Sequence, residues 1–283
     1  MRIATALDRY VLQLQADGRS PLTIAQIERH VRLFARWLAE HKLPTDVRRV
    51  THETISRALA SDAVRLRLDG KPRSPAASNA IRSSLRTYFA YVHAAGYSSR
   101  NAAALVRRAR VGPRPPRALT EDETKRLVAA LDEAETVAER RDRVLIRVLL
   151  ATGARIGSAL AATTDDVDLA VGTLHLRQMK GGGTQSVPLD RPTRRLLAKH
   201  VAGIGPGPLF PSRQGGPVSR RVIALRFTDW LRRAGIDRMA SLHALRHTRG
   251  HEVYRETRDV LAVARALGHR SVSSAAIYAG GMR

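Results

Sequence analysis

Apolar residues recur at helical spacing through the first third of the chain. Between residues 22 and 41, Ile24, Ile27, Val31, Phe34, Ala35 and Leu38 form one stripe, with Arg29, Arg32 and Arg36 set between them. That is the pattern of an amphipathic helix, and Pro44 stops it. A second helical run over about 51–68 carries Ile55, Leu59, Val64 and Leu66 and begins at Thr51, a residue suited to a helix cap. A third, over about 76–95, carries Ile81, Leu85, Tyr88, Phe89 and Val92 and ends at Gly96. Together they predict a small helical domain over 1–108.

The pattern then breaks. Residues 109–118, Ala-Arg-Val-Gly-Pro-Arg-Pro-Pro-Arg-Ala, hold three prolines and a glycine, which cannot continue a helix and favour an extended, semi-rigid chain. This stretch reads as a basic linker, with Arg110, Arg114 and Arg117 along it. A second domain, 119–283, opens on the capping-box pattern Thr120-Glu-Asp-Glu123. An apolar helix over 139–151 runs into Thr152-Gly153, and another is expected from Ile156 to Ala162. Over 171–189 the period changes to two: Leu174 and Leu176, then Gly181-Gly-Gly183, then Val187 and Leu189, a β-hairpin with a flexible tip. Helices return after Pro192, interrupted by a Gly/Pro-rich loop over 203–217. The expected class is mainly α (α+β), a helical first domain followed by a mixed helical domain with a small antiparallel sheet.

Composition narrows the partner. The chain has 283 residues, 43% of them hydrophobic, with 49 Lys or Arg against 25 Asp or Glu and a formal net charge of +24. A folded protein so charged repels itself unless a polyanion relieves it; nucleic acid is the first candidate, an anionic membrane surface the second. Only five of the cations are lysine (Lys42, Lys71, Lys125, Lys180, Lys199), a skew that fits a GC-rich genome as well as any functional demand. With no cysteine, disulfides, thiolate metal sites and a Cys nucleophile are excluded. Neither a signal-peptide core nor an eighteen-residue apolar run is present, so a soluble intracellular protein is expected.

Four motifs carry candidate chemistry. In Ser241-Leu-His-Ala-Leu-Arg-His-Thr248, His243 and Arg246 stand three apart and share a helix face; a neutral imidazole beside a fixed cation suits phosphate better than a metal ion. Arg155, in Thr152-Gly-Ala-Arg155, falls at a helix start, where free amides and a guanidinium both favour anions. Lys180 sits on the glycine tip of the hairpin. Unlike Arg, a lysine can surrender its proton and act as a general acid. In Leu267-Gly-His-Arg-Ser-Val-Ser-Ser-Ala-Ala-Ile-Tyr278, His269 follows a helix-ending glycine, and Tyr278 becomes a nucleophile only if cations gather around it. Each motif alone is also compatible with an ordinary surface or packing role.

In this order and spacing the four resemble the tyrosine recombinase (phage integrase) family, over residues 120–278, with the helical first domain matching a core-binding domain. The resemblance implies a site-specific DNA recombinase that works through a 3′-phosphotyrosine and a Holliday junction, without metal, ATP or other cofactor. It implies that Tyr278 attacks the scissile phosphate, Arg155 and Arg246 hold the non-bridging oxygens, and Lys180 protonates the leaving 5′-oxygen. His243 would take the tyrosine proton or position the phosphate, His269 would donate to a phosphate oxygen, and His247 would serve packing or support. The implied partner is duplex DNA bearing a recombination site, gripped by a homotetramer or a heterotetramer with a sister recombinase. Arg29, Arg32, Arg36, Arg82 and Arg86, with linker residues Arg110, Arg114 and Arg117, are the candidate DNA contacts; whether they read bases or hold phosphates is open.

Three departures from the family pattern stand out. Ser158 occupies a position where Glu is common, Arg249 replaces a frequent aromatic, and only Ala279-Gly-Gly-Met-Arg283 follows the tyrosine. No segment for docking on a neighbouring subunit, and no extra N-terminal arm-binding domain, is therefore expected. Two alternatives share the fold: a DNA-binding regulator without catalysis, and a type IB topoisomerase that swivels one cut strand. With two basic domains joined by a basic linker, affinity for duplex DNA should fall linearly with the logarithm of salt, by roughly 0.9 per phosphate neutralised. A titration by fluorescence anisotropy measures the slope, and a flat response contradicts an electrostatic grip.

Overall fold

The computed structural model describes residues 1–109, 118–177, 183–268 and 275–279. The chain divides into two compact units, Met1–Pro113 and Arg114–Arg283.

The first unit is helical: α1 (Ile3–Ala16), α2 (Pro21–Glu40), α3 (His52–Ala60), α4 (Asp62–Arg65) and α5 (Pro75–Ala94). The two long helices begin alike, Ser20 capping Thr23 N and Ser74 capping Ala77 N, each followed by proline at the first helical position, where its missing N–H costs nothing. Val31, Phe34, Leu38, Ile55, Leu85, Tyr88 and Phe89 are buried together in one core. Polar atoms inside it are paired: Tyr88 Oη donates to Ile3 O at 2.9 Å, and His30 Nδ1 lies 2.8 Å from Ser84 Oγ, joining α2 to α5. The helix expected over 51–68 is two helices, because Ser61 adopts an extended conformation between α3 and α4. Helix α1 is additional to the three expected runs, and its buried residues Ile3, Ala6, Leu7, Tyr10 and Leu14 have helical spacing.

In the second unit α6 (Glu121–Asp132) and α7 (Val137–Thr152) both start with capping boxes, Thr120 with Glu123 and Thr136 with Glu139. Helix α8 (Ile156–Leu160) ends two residues before the expected Ala162. An antiparallel sheet in the order β1-β2-β3 follows, built from Val167–Asp168, Thr173–Leu176 and Gln185–Pro188. Leu174 pairs with Val187, and both, with Leu176, face the core. The hairpin is thus as anticipated, with β1 an addition. Helices α9 (Arg191–Ile204), α10 (Arg220–Arg233), α11 (Leu242–Thr257) and α12 (Val260–Leu267) complete the unit, with a 3-10 turn over Ala276–Tyr278. The main core gathers α6, α7, α10 and the sheet. A second, smaller cluster of Val253, Val263, Ala264, Leu267, Ala275 and Tyr278 lies where α11, α12 and the 3-10 turn meet. Among the described residues no helix is long and apolar enough to cross a membrane.

Ala109, the first residue of the expected linker, is fastened to α5. Its N–H donates to Asn79 Oδ1 at 2.7 Å and its carbonyl accepts from Asn79 Nδ2 at 3.0 Å, and Asn79 is buried. Asn79→Ala removes both bonds, so it should lower the stability of the first unit by about 1–3 kcal/mol. Hydrogen exchange at residues 106–109 should accelerate; unchanged exchange there would mean that the pairing does not hold the segment.

Candidate active site

Helix α11 supplies most of the site. Arg246 lies on its buried side, 3% exposed, and the two ends of its guanidinium donate to two different backbone carbonyls. Nη1 reaches Gly153 O at 2.7 Å and Nη2 reaches Leu267 O at 2.6 Å. These are carbonyls at the ends of α7 and α12, where helices leave acceptors without partners. Both helices end in glycine with left-handed backbone, Gly153 at φ 63° and Gly268 at φ 61°. At Gly153 a Cβ would also press on the Leu267 side chain, so the close approach of α12 adds to the preference for glycine that the left-handed turn already sets. Arg155, two residues on, is the N-cap of α8 and half-buried; among the described residues nothing hydrogen-bonds its guanidinium.

Tyr278, on the 3-10 turn, is 1% exposed. Its hydroxyl lies 3.2 Å from His247 Nδ1. The ring meets His251 edge-on at 5.2 Å, while His243 meets His247 edge-on at 4.7 Å. Three histidines at successive i, i+4 positions of α11 therefore form a stripe, and its inner part borders the phenol. Space for the phenol comes from Gly250, where a Cβ would stand 2.5 Å from Tyr278 Cε1 and Cζ.

Charge and burial set the protonation states. Loss of hydration pushes Arg246 down to about 10, with Arg155 adding repulsion and Tyr278 opposing it; the guanidinium stays charged at neutral pH. His247 is lowered to about 4 by burial first, then by His243, His251 and Arg246. His251 is lowered by burial. His243 opens to solvent on one side, yet is lowered by desolvation on the other and then by Arg246, Arg155 and Arg220. Burial raises the Tyr278 phenol, and the Arg246 charge works against that. The site is therefore cationic, with neutral imidazoles and a protonated phenol, an arrangement that favours an anion.

Of the residues singled out in the sequence, His243 and Arg246 both feel the charge of Arg155, and Arg246 and Tyr278 feel each other. Lys180 and His269 lie outside the described residues. Gln185, beside the hairpin tip, donates to Arg265 O and Ala266 O at 3.3 and 3.4 Å, tying β3 to the last turn of α12. Arg29, Arg32 and Arg36 are exposed on α2, with Arg32 paired to Glu28 at 3.2 Å; Arg86 is exposed and Arg82 half-buried on α5. Arg110, Arg114 and Arg117 lie outside the described residues. The sequence pattern does not single out His251 or Gly250. The signal for Gly250 is a glycine inside an otherwise helical run, which points to close packing.

A family model described as the phage integrase family matches residues 117–281. The tyrosine recombinase XerD of Pseudomonas putida is 31% identical, covering 92% of this chain and 87% of its own. XerD of Mycobacterium tuberculosis is 30% identical over 98% and 93% of the two chains. The fold is similar to that of a lambda integrase dimer bound to a COC′ core site, with a TM-score of 0.75 at 22% identity over 97% of both chains. It is also similar to that of a lambda integrase tetramer bound to a Holliday junction, with a TM-score of 0.74 at 22% identity over 96% of this chain and 79% of that one.

Because Arg246 fastens two helix ends, Arg246→Ala should lower stability by about 2–4 kcal/mol, whereas Arg155→Ala should change it by less than about 1 kcal/mol. Thermal unfolding of the two variants side by side measures the difference, and equal melting temperatures would contradict the bracing role.

Proposed function

The chain belongs to the phage integrase family, and from that premise we propose that it is a tyrosine-type site-specific DNA recombinase acting on cytoplasmic duplex DNA. The observation that carries this reading is the gathering of Tyr278, two arginines and a histidine stripe from separate elements around one cationic site. A phosphodiester in that site is attacked by the Tyr278 hydroxyl, giving a 3′-phosphotyrosine and a free 5′-hydroxyl. Arg155 and Arg246 offset the charge that builds on the non-bridging oxygens in the transition state. Lys180 protonates the leaving 5′-oxygen and His269 donates to a phosphate oxygen, roles that follow from their places in the family motifs. Because the ester keeps the bond energy, a 5′-hydroxyl from a second duplex rejoins the strand, first to a Holliday junction and then to recombinant product, without ATP.

Exchange between duplexes requires several active sites at once, which supports a homotetramer, or a heterotetramer with a sister recombinase, on DNA. The residues 1–108 form the core-binding domain in this reading. The solvent-facing arginines Arg29, Arg32 and Arg36 of α2 and Arg86 of α5, with Arg82, Arg110, Arg114 and Arg117, contact the duplex.

Sequencing DNA trapped as covalent adducts identifies the recombination site. On a nicked duplex carrying that site, Tyr278→Phe should bind as wild type does and form no adduct; an adduct that survives denaturation would remove Tyr278 as nucleophile. Arg155→Ala should retain binding and form the adduct about 10²–10³-fold more slowly, the cost of removing one donor to the developing charge.

A further inference from the structure

Two histidines of α11 compete for the role of proton acceptor, and their surroundings differ. His243 is the histidine whose environment includes Arg155 and Arg220 as well as Arg246, so it stands on the side where an anion would sit. His247 stands one turn further along, with Nδ1 3.2 Å from the Tyr278 hydroxyl. Between these described residues, the phenol is hydrogen-bonded to His247 and not to His243. We propose, on the basis of the recombinase reading, that His247 is a catalytic residue that accepts the Tyr278 proton through Nδ1, leaving His243 to contact the phosphate.

Three observations support the assignment. Gly250 leaves the room that lets the phenol lie against this face of α11, since a side chain there would displace the ring. His251 packs edge-on against the same ring one turn beyond His247, so the phenol is held from the far side as well. His247 is neutral at neutral pH, chiefly through burial and then through His243, His251 and Arg246, and a neutral imidazole whose Nδ1 accepts carries its hydrogen on Nε2. An incoming phosphodiester brings negative charge that favours the imidazolium and so opposes these effects. In the cleavage step the Tyr278 Oη–P bond forms as the P–O5′ bond breaks. The hydroxyl proton passes to His247 Nδ1, and Lys180 supplies the proton for the 5′-oxygen. Religation runs the same transfers backwards, with His247 returning its proton to Tyr278.

The test uses full-length protein and a nicked duplex carrying the recovered site with a 5′-bridging phosphorothioate. Its thiolate leaves without a proton, so the rate reports activation of the nucleophile alone. His247→Ala should bind this duplex normally and form the adduct at least about 100-fold more slowly, the usual size of a general-base contribution, and added imidazole should restore much of the rate. His247→Asn offers an oxygen that still accepts the hydroxyl's hydrogen bond but does not take up a proton, and it should remain slow. Adduct formation by either variant within threefold of wild type overturns the assignment. No adduct from wild-type protein overturns the recombinase reading itself, and with it the proton step. A nitrogen-15 spectrum of histidine-labelled, DNA-free protein tests the contact separately. His247 should be the Nε2–H tautomer, with an Nδ1 resonance that moves in Tyr278→Phe; an Nδ1–H tautomer overturns the assignment.

Discussion

One guanidinium, that of Arg246, braces the second unit at the candidate site. Arg246 donates to the carbonyl of Gly153 at the end of α7 and to that of Leu267 at the end of α12, so three helices are fixed relative to one another by a single side chain. Those carbonyls would otherwise be helix-end acceptors buried without partners, a costly arrangement. Gln185 closes the same junction from the sheet by donating to Arg265 O and Ala266 O. The consequences are local and specific. Gly153 precedes Arg155 by two residues, so bracing the first places the second. The last turn of α12 borders the 3-10 turn that carries Tyr278, so bracing Leu267 shapes the apolar pocket in which the phenol lies.

That bracing has an electrostatic cost. Removing Arg246 from water pushes it down to about 10, and the neighbouring Arg155 adds to the effect. Among the described residues no carboxylate hydrogen-bonds either arginine. The positive charge is therefore held in place, partly desolvated and uncompensated, before any substrate arrives. Such preorganised charge needs little rearrangement as negative charge develops on a phosphate. Meanwhile burial raises the Tyr278 phenol and the Arg246 charge works against that, so the hydroxyl keeps its proton at neutral pH.

Much of this was legible in the sequence, for identifiable reasons. Helices α2, α5 and α7 announce themselves through apolar periodicity, and α6 through its capping box at Thr120; the caps at Ser20 and Thr136 come from the structure. The alternation at Leu174, Leu176 and Val187 marks the hairpin. The spacing of His243 and Arg246 marks a shared element. Harder to read was direction: a three-residue spacing does not say that Arg246 turns inward to bind backbone while His243 opens outward. The phenol's partner was hidden for the same reason. His247 is 31 residues away from Tyr278 in the chain, and their meeting depends on the room left at Gly250, a contact that no local periodicity encodes. Ser61 was missed because its neighbours keep the apolar spacing across the break.

The two departures that lie within the described site bear on each other. Ser158 is buried where Glu is common in the family, so the neighbourhood of Arg155 carries no helper carboxylate at that position. Arg249, where an aromatic is frequent, is half-buried rather than exposed, and its aliphatic stem lies along Gly153, with Cβ and Cγ each 3.3 Å from where a Cβ there would stand. The stem thus supplies packing of the kind a ring would give. Its guanidinium turns away to Glu252 at 3.3 Å, and burial raises that carboxyl even as Arg249 works against it. The added charge is matched by a carboxylate on the same helix, while the charge of Arg155 and Arg246 is not. The +24 of the chain therefore divides by environment: exposed arginines such as Arg29, Arg36 and Arg86 keep their hydration, whereas Arg155 and Arg246 are partly or wholly removed from water and, among the described residues, have no carboxylate paired with them.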